Sequence, residues 1–440
     1  MNRETRIYSK IFALLSTVFF LLVLGFFGVI SFTDVDPTVS ETENRKLATK
    51  PEFSVSALMA GTYTEDFENY YADTFPLREV FMSLNSKISS ALTQFSGKED
   101  NVIINYEKHD SDFVGEGIDV GINKEDKTEK TEEKATEKDF HAEEKDAAFK
   151  GSILVSKDRG MEVFSGSDSM TSSYAELVNA TASAMPDGVK FYSMVVPTAI
   201  EFYGTKEFTK GSHSQEKYIG QAYNKMDSSV TTIDAYKRLA KTADEYIYFR
   251  TDHHWTARGA YQAYLEFCDV TKQTPVKLED LETGKIEGFV GSLYKASNAQ
   301  VLKDNPDYVE YFKTRVDVEG TVYEDSSMTD GYSFFIVARS VNSSNKYLAF
   351  IGGDQPLEKI VTSNKNGKKI LVIKESYGNA FVPFICDNYE EVYVVDPRQT
   401  NFDLPEFIKT QGIGEVLMIN YSFAMANKTF SDALYAMIDN

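Results

Sequence analysis

The spacing of apolar and polar residues divides the chain into segments of different character. Residues 11–30, IFALLSTVFFLLVLGFFGVI, are twenty positions without a charge and without a polar face at any period. As a helix rising 1.5 Å per residue, that length crosses a bilayer core of about 30 Å. Arg3, Arg6 and Lys10 precede it and Asp34 and Asp36 follow. The excess of basic residues on one side predicts residues 1–10 as a cytoplasmic tail and everything after about residue 31 outside the membrane. The flanking SFTDVDP has no small-residue cleavage pattern, so the segment reads as an uncleaved signal anchor of a single-pass protein.

Residues 31–96 read as a strap followed by a helix packed on the main domain. ETENRKLATKPEF (41–53) is polar and suits an extended strap, whereas Phe67, Tyr70 and Tyr71, then Val80, Phe81, Leu84 and Ile88, recur at helical spacing. Residues 97–150 form a charged insertion. Its stretch 123–147 is almost entirely Lys, Glu, Asp and Thr, which predicts a solvated loop, disordered in part. Regular patterning resumes with GSILVSKDRGMEVFSGS, a hairpin with Asp158-Arg159-Gly160 at the turn.

From there to residue 440 short apolar runs alternate with helix-length segments. Helices are expected over 174–185, 214–228 and 256–270, and strands over 190–197 and 245–249. Near the end KKILVIK, NAFVPFICDNY, EVYVVD, LPEFIKTQG and EVLMIN repeat the β-α-β-α-β rhythm. This predicts an α/β domain over 151–440, with a mostly parallel sheet covered by helices on both faces. Residues 280–350, rich in Tyr, Ser and Gly, break the rhythm and predict a less regular antiparallel insertion.

Composition narrows the chemistry. A net charge of −21, from 46 basic against 67 acidic side chains, repels a phosphate backbone and argues against nucleic-acid binding. Only two cysteines occur, Cys268 and Cys386, too few for a disulfide scaffold or a cysteine-rich zinc site. Two of the five histidines and the only tryptophan fall together in TDHHWT (251–256). A second conspicuous segment is Lys374-Glu375-Ser376-Tyr377-Gly378-Asn379, where an apolar strand runs into a helix. A serine there sits at the C-terminal edge of the sheet, with backbone N–H groups facing outward beside it. A serine nucleophile also needs a base, and the base a carboxylate to fix its tautomer. Asp252 and His254, two apart, project to the same side and suit those roles. Two other readings of the segment stay open: a helix N-cap cluster with a structural histidine, and a metal site for which no further ligand is evident.

The motifs together resemble the DHHW-motif protein family of Gram-positive bacteria, a branch of the alginate O-acetyltransferase-like group. ENRKLATKPEF, FENYYADTFPLRE, MVVPT (194–198), TDHHWT, GSLY (291–294), FIGGDQP (350–356) and KESYGNAFVPF (374–384) follow in family order across residues 41–440, the charged insertion excepted. The resemblance implies a permuted, three-layer SGNH-hydrolase-like fold and a triad of Asp252, His254 and Ser376. The usual Asp before the serine is replaced by Glu375. It further implies transfer of an acetyl group, through an acetyl-serine, to hydroxyls of an envelope polymer or exopolysaccharide, with a membrane-bound O-acyltransferase as donor and no cofactor or metal. On this reading the Ser376 N–H, Gly353 and Asn379 are oxyanion candidates, and Trp255, Tyr377 and Arg398 are candidates to line a glycan groove. The same triad also suits a carbohydrate acetylesterase, and the tethered chain a non-catalytic scaffold of a polysaccharide assembly.

Overall fold

The computed structural model describes residues 39–40, 45–46, 49–60, 62–75, 101–106, 151–204 and 212–439. Residues 1–92 and 93–440 form two compact units. In the first, Val39–Ser40 pairs antiparallel with Arg45–Lys46, and helices cover Val55–Ala60 and Thr62–Thr74. The strap therefore includes a short ladder, and the helical spacing at Phe67, Tyr70 and Tyr71 belongs to the second helix. The expected anchor at 11–30, the apolar positions from Val80 to Ile88 and the run 123–147 lie outside the described residues. Among the described residues, no helix is long and apolar enough to cross a membrane.

The second unit opens with a three-stranded antiparallel sheet of β1 (Asn101–Tyr106), β2 (Gly151–Ser156) and β3 (Arg159–Glu162). The segment expected as a charged insertion thus contributes a strand at its start. The hairpin turn lies at Lys157-Asp158, with Lys157 left-handed at φ 53°, so Arg159 and Gly160 belong to β3 instead of the turn. The chain continues through α1 (Asp168–Ala184), β4 (Lys190–Val196), α2 (Ala199–Tyr203), α3 (Gln215–Tyr223), β5 (Val230–Ile233), α4 (Tyr236–Lys241) and α5 (Ala257–Thr271). Next come β6 (Thr283–Phe289), α6 (Ser292–Ser297), α7 (Gln300–Asp304), β7 (Asp307–Phe312), β8 (Val318–Tyr323) and β9 (Tyr332–Phe334). The last stretch is β10 (Leu357–Thr362), β11 (Lys369–Lys374), α8 (Gly378–Ile385), β12 (Glu391–Val395), α9 (Leu404–Gln411), β13 (Glu415–Tyr421) and α10 (Lys428–Ile438).

Eight of these strands form one sheet in the order β9-β8-β10-β12-β11-β13-β4-β5. The run from β12 to β5 is parallel, and β10, β8 and β9 add to one edge antiparallel. Side chains alternate across a strand, and this places helices on both faces. On β4, Tyr192 meets Phe267 of α5 at 5.9 Å. On the opposite face Tyr174 of α1 donates a hydrogen bond to Asn420, whose register partner is Val195. Ile370, Leu371, Val372 and Ile373 of β11 are wholly buried, as a strand covered on both sides requires.

Two expectations are corrected. Residues 245–249 form no ladder strand. Their backbone closes on the following turn instead, with Phe249 N–H bonded to His254 C=O and Thr256 N–H to Ile247 C=O, leaving one isolated bridge between Tyr248 and Trp255. Residues 280–350 are antiparallel as expected, since β6 pairs with β7, but β8 and β9 are part of the main sheet.

In chain order β4 leads to β5 on one side, β11 leads to β12 on the other, and β13 enters between β11 and β4. The strand order therefore reverses at the C-terminal ends of β11 and β13, where an open α/β sheet leaves a crevice. Beside it lies a buried charged cluster of Lys374, Asp354, Asp396 and Arg398. Glu358 of β10 is wholly buried next to it, and neither of its carboxylate oxygens has a hydrogen-bond partner among the described residues.

Burial pushes the Glu358 carboxyl well above its ordinary range, against the opposing pull of Lys374. A raised carboxyl keeps its proton in the native state after the unfolded chain has lost it, so its contribution to stability declines as pH rises past the usual carboxylate range. The thermal stability of a Glu358→Gln variant relative to the parent is therefore expected to increase from about pH 5 to pH 8. Paired melting curves across that range check this, and a difference independent of pH contradicts it.

Candidate active site

The segment 249–255 folds back on itself because a buried carboxylate organises it. Asp307, at the start of β7, accepts from the backbone N–H groups of Arg250 (3.0 Å) and Thr251 (2.7 Å) and from the Thr251 hydroxyl (2.7 Å). From the other side, Arg159 of β3 donates to the Phe249 carbonyl at 2.9 Å, and Gly160 N–H bonds to the Arg250 carbonyl. The hairpin and β7 thus hold the turn that carries Asp252, His253 and His254.

Ser376 follows β11 directly. Every residue from 370 to 387 is buried except Ser376, which is half-buried and reaches the surface of an otherwise closed segment. Its hydroxyl lies 2.8 Å from His254 Nε2, and His254 Nδ1 lies 2.6 Å from Asp252 Oδ1. Asp252 Oδ1 also accepts the His254 backbone N–H at 3.0 Å, while Oδ2 accepts the Ser292 N–H at 2.8 Å. Burial works to raise the Asp252 carboxyl, but His254, His253 and the Ser292 N–H outweigh it and hold the group below the usual carboxylate range. With Asp252 ionised, His254 carries its proton on Nδ1 and leaves Nε2 to accept from the serine.

Three of the sequence candidates are therefore brought together in one hydrogen-bonded row. The others are placed differently. Trp255 is wholly buried, and its indole N–H donates to the Tyr377 carbonyl at 2.9 Å. Tyr377 is also wholly buried, and its hydroxyl donates to the His253 carbonyl. Neither lines a groove; both fasten the histidine turn to the serine turn. Arg398 is held by Asp396 (2.6 Å) and Asp354 (2.9 Å), so it serves the ion cluster, with only a small fraction of its side chain exposed. Gly353 (φ 99°) gives its N–H to the Phe350 carbonyl and is a turn glycine, not a free oxyanion donor. Asn379 Nδ2 donates one hydrogen to Asp354 Oδ1 at 3.0 Å, which fixes the amide orientation and leaves the second hydrogen. The Ser376 N–H has no acceptor among the described residues.

Glu375 tethers the turn below the serine. Its oxygens accept the N–H groups of Tyr377 (3.1 Å) and of Tyr421 at the end of β13 (2.9 Å), and Oε2 lies 3.4 Å from the Ser376 hydroxyl. Burial pushes its carboxyl up to about 7, opposed by those two N–H groups and Arg398. Asp252, His253 and His254 also bring ligand-type atoms within 4.8 Å of one another. The Nδ1 atoms of both histidines are engaged, however: that of His254 with Asp252, and that of His253 with the Ser292 hydroxyl at 2.6 Å. Burial and the neighbouring His254 push His253 down to about 3, so it stays neutral at ordinary pH. The donor set thus fits a proton relay better than a metal cage.

Sequence reasoning missed the supports. Gly291 and Ser292 lie in GSLY, a segment noticed without a role. A Cβ at Gly291 would stand 2.2 Å from Asp252 Cβ, so only glycine admits the carboxylate there. Asp307, which holds Arg250 and Thr251, and Tyr347, whose ring stacks on His254 at 3.9 Å, carry no local signal, because these partners lie far away in sequence.

Comparison with known proteins shows the family and the fold. A family model described as DHHW protein matches residues 88–395. A DHHW family protein from Eubacterium siraeum superposes with a TM-score of 0.59 at 33% identity, over 65% of this chain and 94% of that one. PatB1 of Bacillus cereus shares the fold at 17% identity and a TM-score of 0.53, over 64% of this chain and 99% of that one. A second structure of PatB1 carries a sulfonyl adduct and matches at 16% identity with a TM-score of 0.53, over 64% of this chain and 97% of that one. No curated protein matches the chain.

A Gly291→Ala variant is expected to drive Asp252 from its place. Overpacking at such a site costs about 1–3 kcal/mol, read as a lower urea midpoint. The downfield proton resonance of the Asp252–His254 hydrogen bond should vanish with it. A variant that keeps both refutes the close-packing argument.

Proposed function

The chain belongs to the DHHW protein family, and from its site we propose that it is a serine acyltransferase that moves acetyl groups onto hydroxyls of an extracytoplasmic polysaccharide. The observation that carries this reading is the row Asp252–His254–Ser376, with separations of 2.6 and 2.8 Å, ending in the one residue of its segment that reaches the surface. Acetyl as cargo and a glycan as acceptor are supported by the resemblance of the whole motif series to the alginate O-acetyltransferase-like group.

In the first half-reaction His254 Nε2 takes the hydroxyl proton as Ser376 Oγ attacks the acetyl carbonyl. The oxyanion accepts from the Ser376 N–H and the second hydrogen of Asn379 Nδ2. Collapse expels the donor group, which leaves with the proton held by His254, and acetyl-Ser376 remains. In the second half-reaction His254 removes a proton from the acceptor hydroxyl, whose oxygen attacks the acetyl-serine. Ser376 departs and recovers that proton through His254. Asp252 stays ionised throughout and stabilises the imidazolium.

The apolar run 11–30 supports placing the unit outside the cell membrane on an uncleaved anchor, next to a membrane-bound O-acyltransferase that would supply the acetyl group. Water in place of the acceptor gives an acetylesterase with the same residues, so the acceptor decides the activity.

The test uses the full chain in detergent with p-nitrophenyl acetate. The parent should gain the mass of one acetyl group on Ser376, and Ser376→Ala should gain none. Asp252→Asn should slow acylation by on the order of 10⁴-fold, because the imidazole is left in the wrong tautomer. Adding oligosaccharides should discharge the adduct to acetylated sugar, whereas discharge only to acetate would mark an esterase. A sulfonyl fluoride, prompted by the adduct in the PatB1 structure, should block both steps. Acetylation that does not depend on Ser376 would remove the catalytic reading.

A further inference from the structure

Tyr347 touches both ends of the proton transfer. Its ring lies face to face with the His254 imidazole, centroids 3.9 Å apart and planes 11° from parallel. Its hydroxyl donates to the Ser376 backbone carbonyl at 3.1 Å. It comes from the short 3-10 turn Lys346–Ala349, where the Asn345 side chain accepts the Tyr347 N–H at 3.2 Å. Edge contacts with Phe249 (6.2 Å, 87°) and Phe350 (5.3 Å, 73°) hold the buried ring in its plane. Phe249 belongs to the turn that carries the histidine.

We propose that Tyr347 is a positioning residue that sets the His254 ring opposite the Ser376 hydroxyl and stabilises the imidazolium formed when the proton moves. The inference rests on reading His254 as the base. A cation over an aromatic face is attracted by the ring quadrupole, more strongly when both are desolvated, and here the ring and the imidazole are both buried. Among the described residues, the other charged or titratable groups around His254 supply no second cation. Asp252 bonds Nδ1, the His253 ring lies 3.8 Å away tilted by 38° and stays neutral, Tyr377 lies at 5.3 Å, and Glu375 sits behind Ser376. The aromatic face therefore works with Asp252 in favour of the charged ring. The tyrosine hydroxyl has the separate task of holding the serine turn.

Substituting position 347 in the full chain separates the two tasks. Tyr347→Phe keeps the face and loses the hydroxyl. Mono-, tri- and pentafluorinated phenylalanines then weaken the face while nearly preserving its shape, so folding is retained and is checked by melting. The readout is the rate of Ser376 acylation by p-nitrophenyl acetate against pH, followed by intact mass. Tyr347→Phe should keep the midpoint of the ascending limb and slow the plateau. Progressive fluorination should move that limb to lower pH and slow the plateau by a further 3- to 30-fold, roughly. A limb and plateau unchanged across the fluorinated series, with acylation still lost in His254→Ala, overturn the assignment of Tyr347 alone. Acylation that survives His254→Ala overturns the reading beneath it.

Discussion

Two hydrogen bonds running in opposite directions tie the halves of the site together. The indole N–H of Trp255 meets the carbonyl of Tyr377, and the hydroxyl of Tyr377 meets the carbonyl of His253. All four groups are buried, so releasing either bond leaves a polar group without water, at about 1–3 kcal/mol each. Because the two bonds cross between the same short segments, they fix distance and rotation together. They help to set the gap between His254 and Ser376, two groups 122 residues apart in sequence.

The charges around this clasp are arranged so that none stands alone without a reason. Asp252 is held ionised by His254 and the Ser292 N–H. Lys374, wholly buried immediately before the serine turn, answers Asp354 at 2.7 Å, and Arg398 joins Asp354 to Asp396. Burying ions is costly unless each is paired and hydrogen-bonded. The result is a paired ionic floor under Ser376, on which Asn379 is oriented by Asp354. Glu358 and Glu375 follow the other solution open to buried carboxyls, a raised affinity for the proton.

Much of this was legible in the chain. The β-α-β rhythm of residues 369–421 maps onto strands and helices within a few residues, because those strands are buried on both faces and read as unbroken apolar runs. The row of Asp252, His254 and Ser376 was legible too, since rare residue types fall in two short segments at predicted strand ends. The strand expected at 245–249 failed for the opposite reason. Tyr246, Ile247, Tyr248 and Phe249 have strand-like composition, yet their backbone partners are only a few residues away in the returning turn. Trp255 and Tyr377 are candidates for a glycan groove in sequence because an aromatic beside Ser376 suits packing and sugar binding alike. Only their complete burial shows that they serve the fold. Tyr347, Asp307 and Gly291 act through space alone, and nothing within a local window distinguishes them from ordinary core and turn residues.

The place of β13 bears on how the molecule is made. Residues 415–421 follow Asp252, His254 and Ser376 in the chain, yet they form the middle of the parallel sheet, between β11 and β4. Without them β11 and β4 would have no common neighbour, and Glu375 would lack the Tyr421 N–H that anchors the serine turn. The setting of Asp252, His254 and Ser376 is thus complete only with β13 in place. A chain cut before β13 would carry all three residues without the strand that joins β11 to β4.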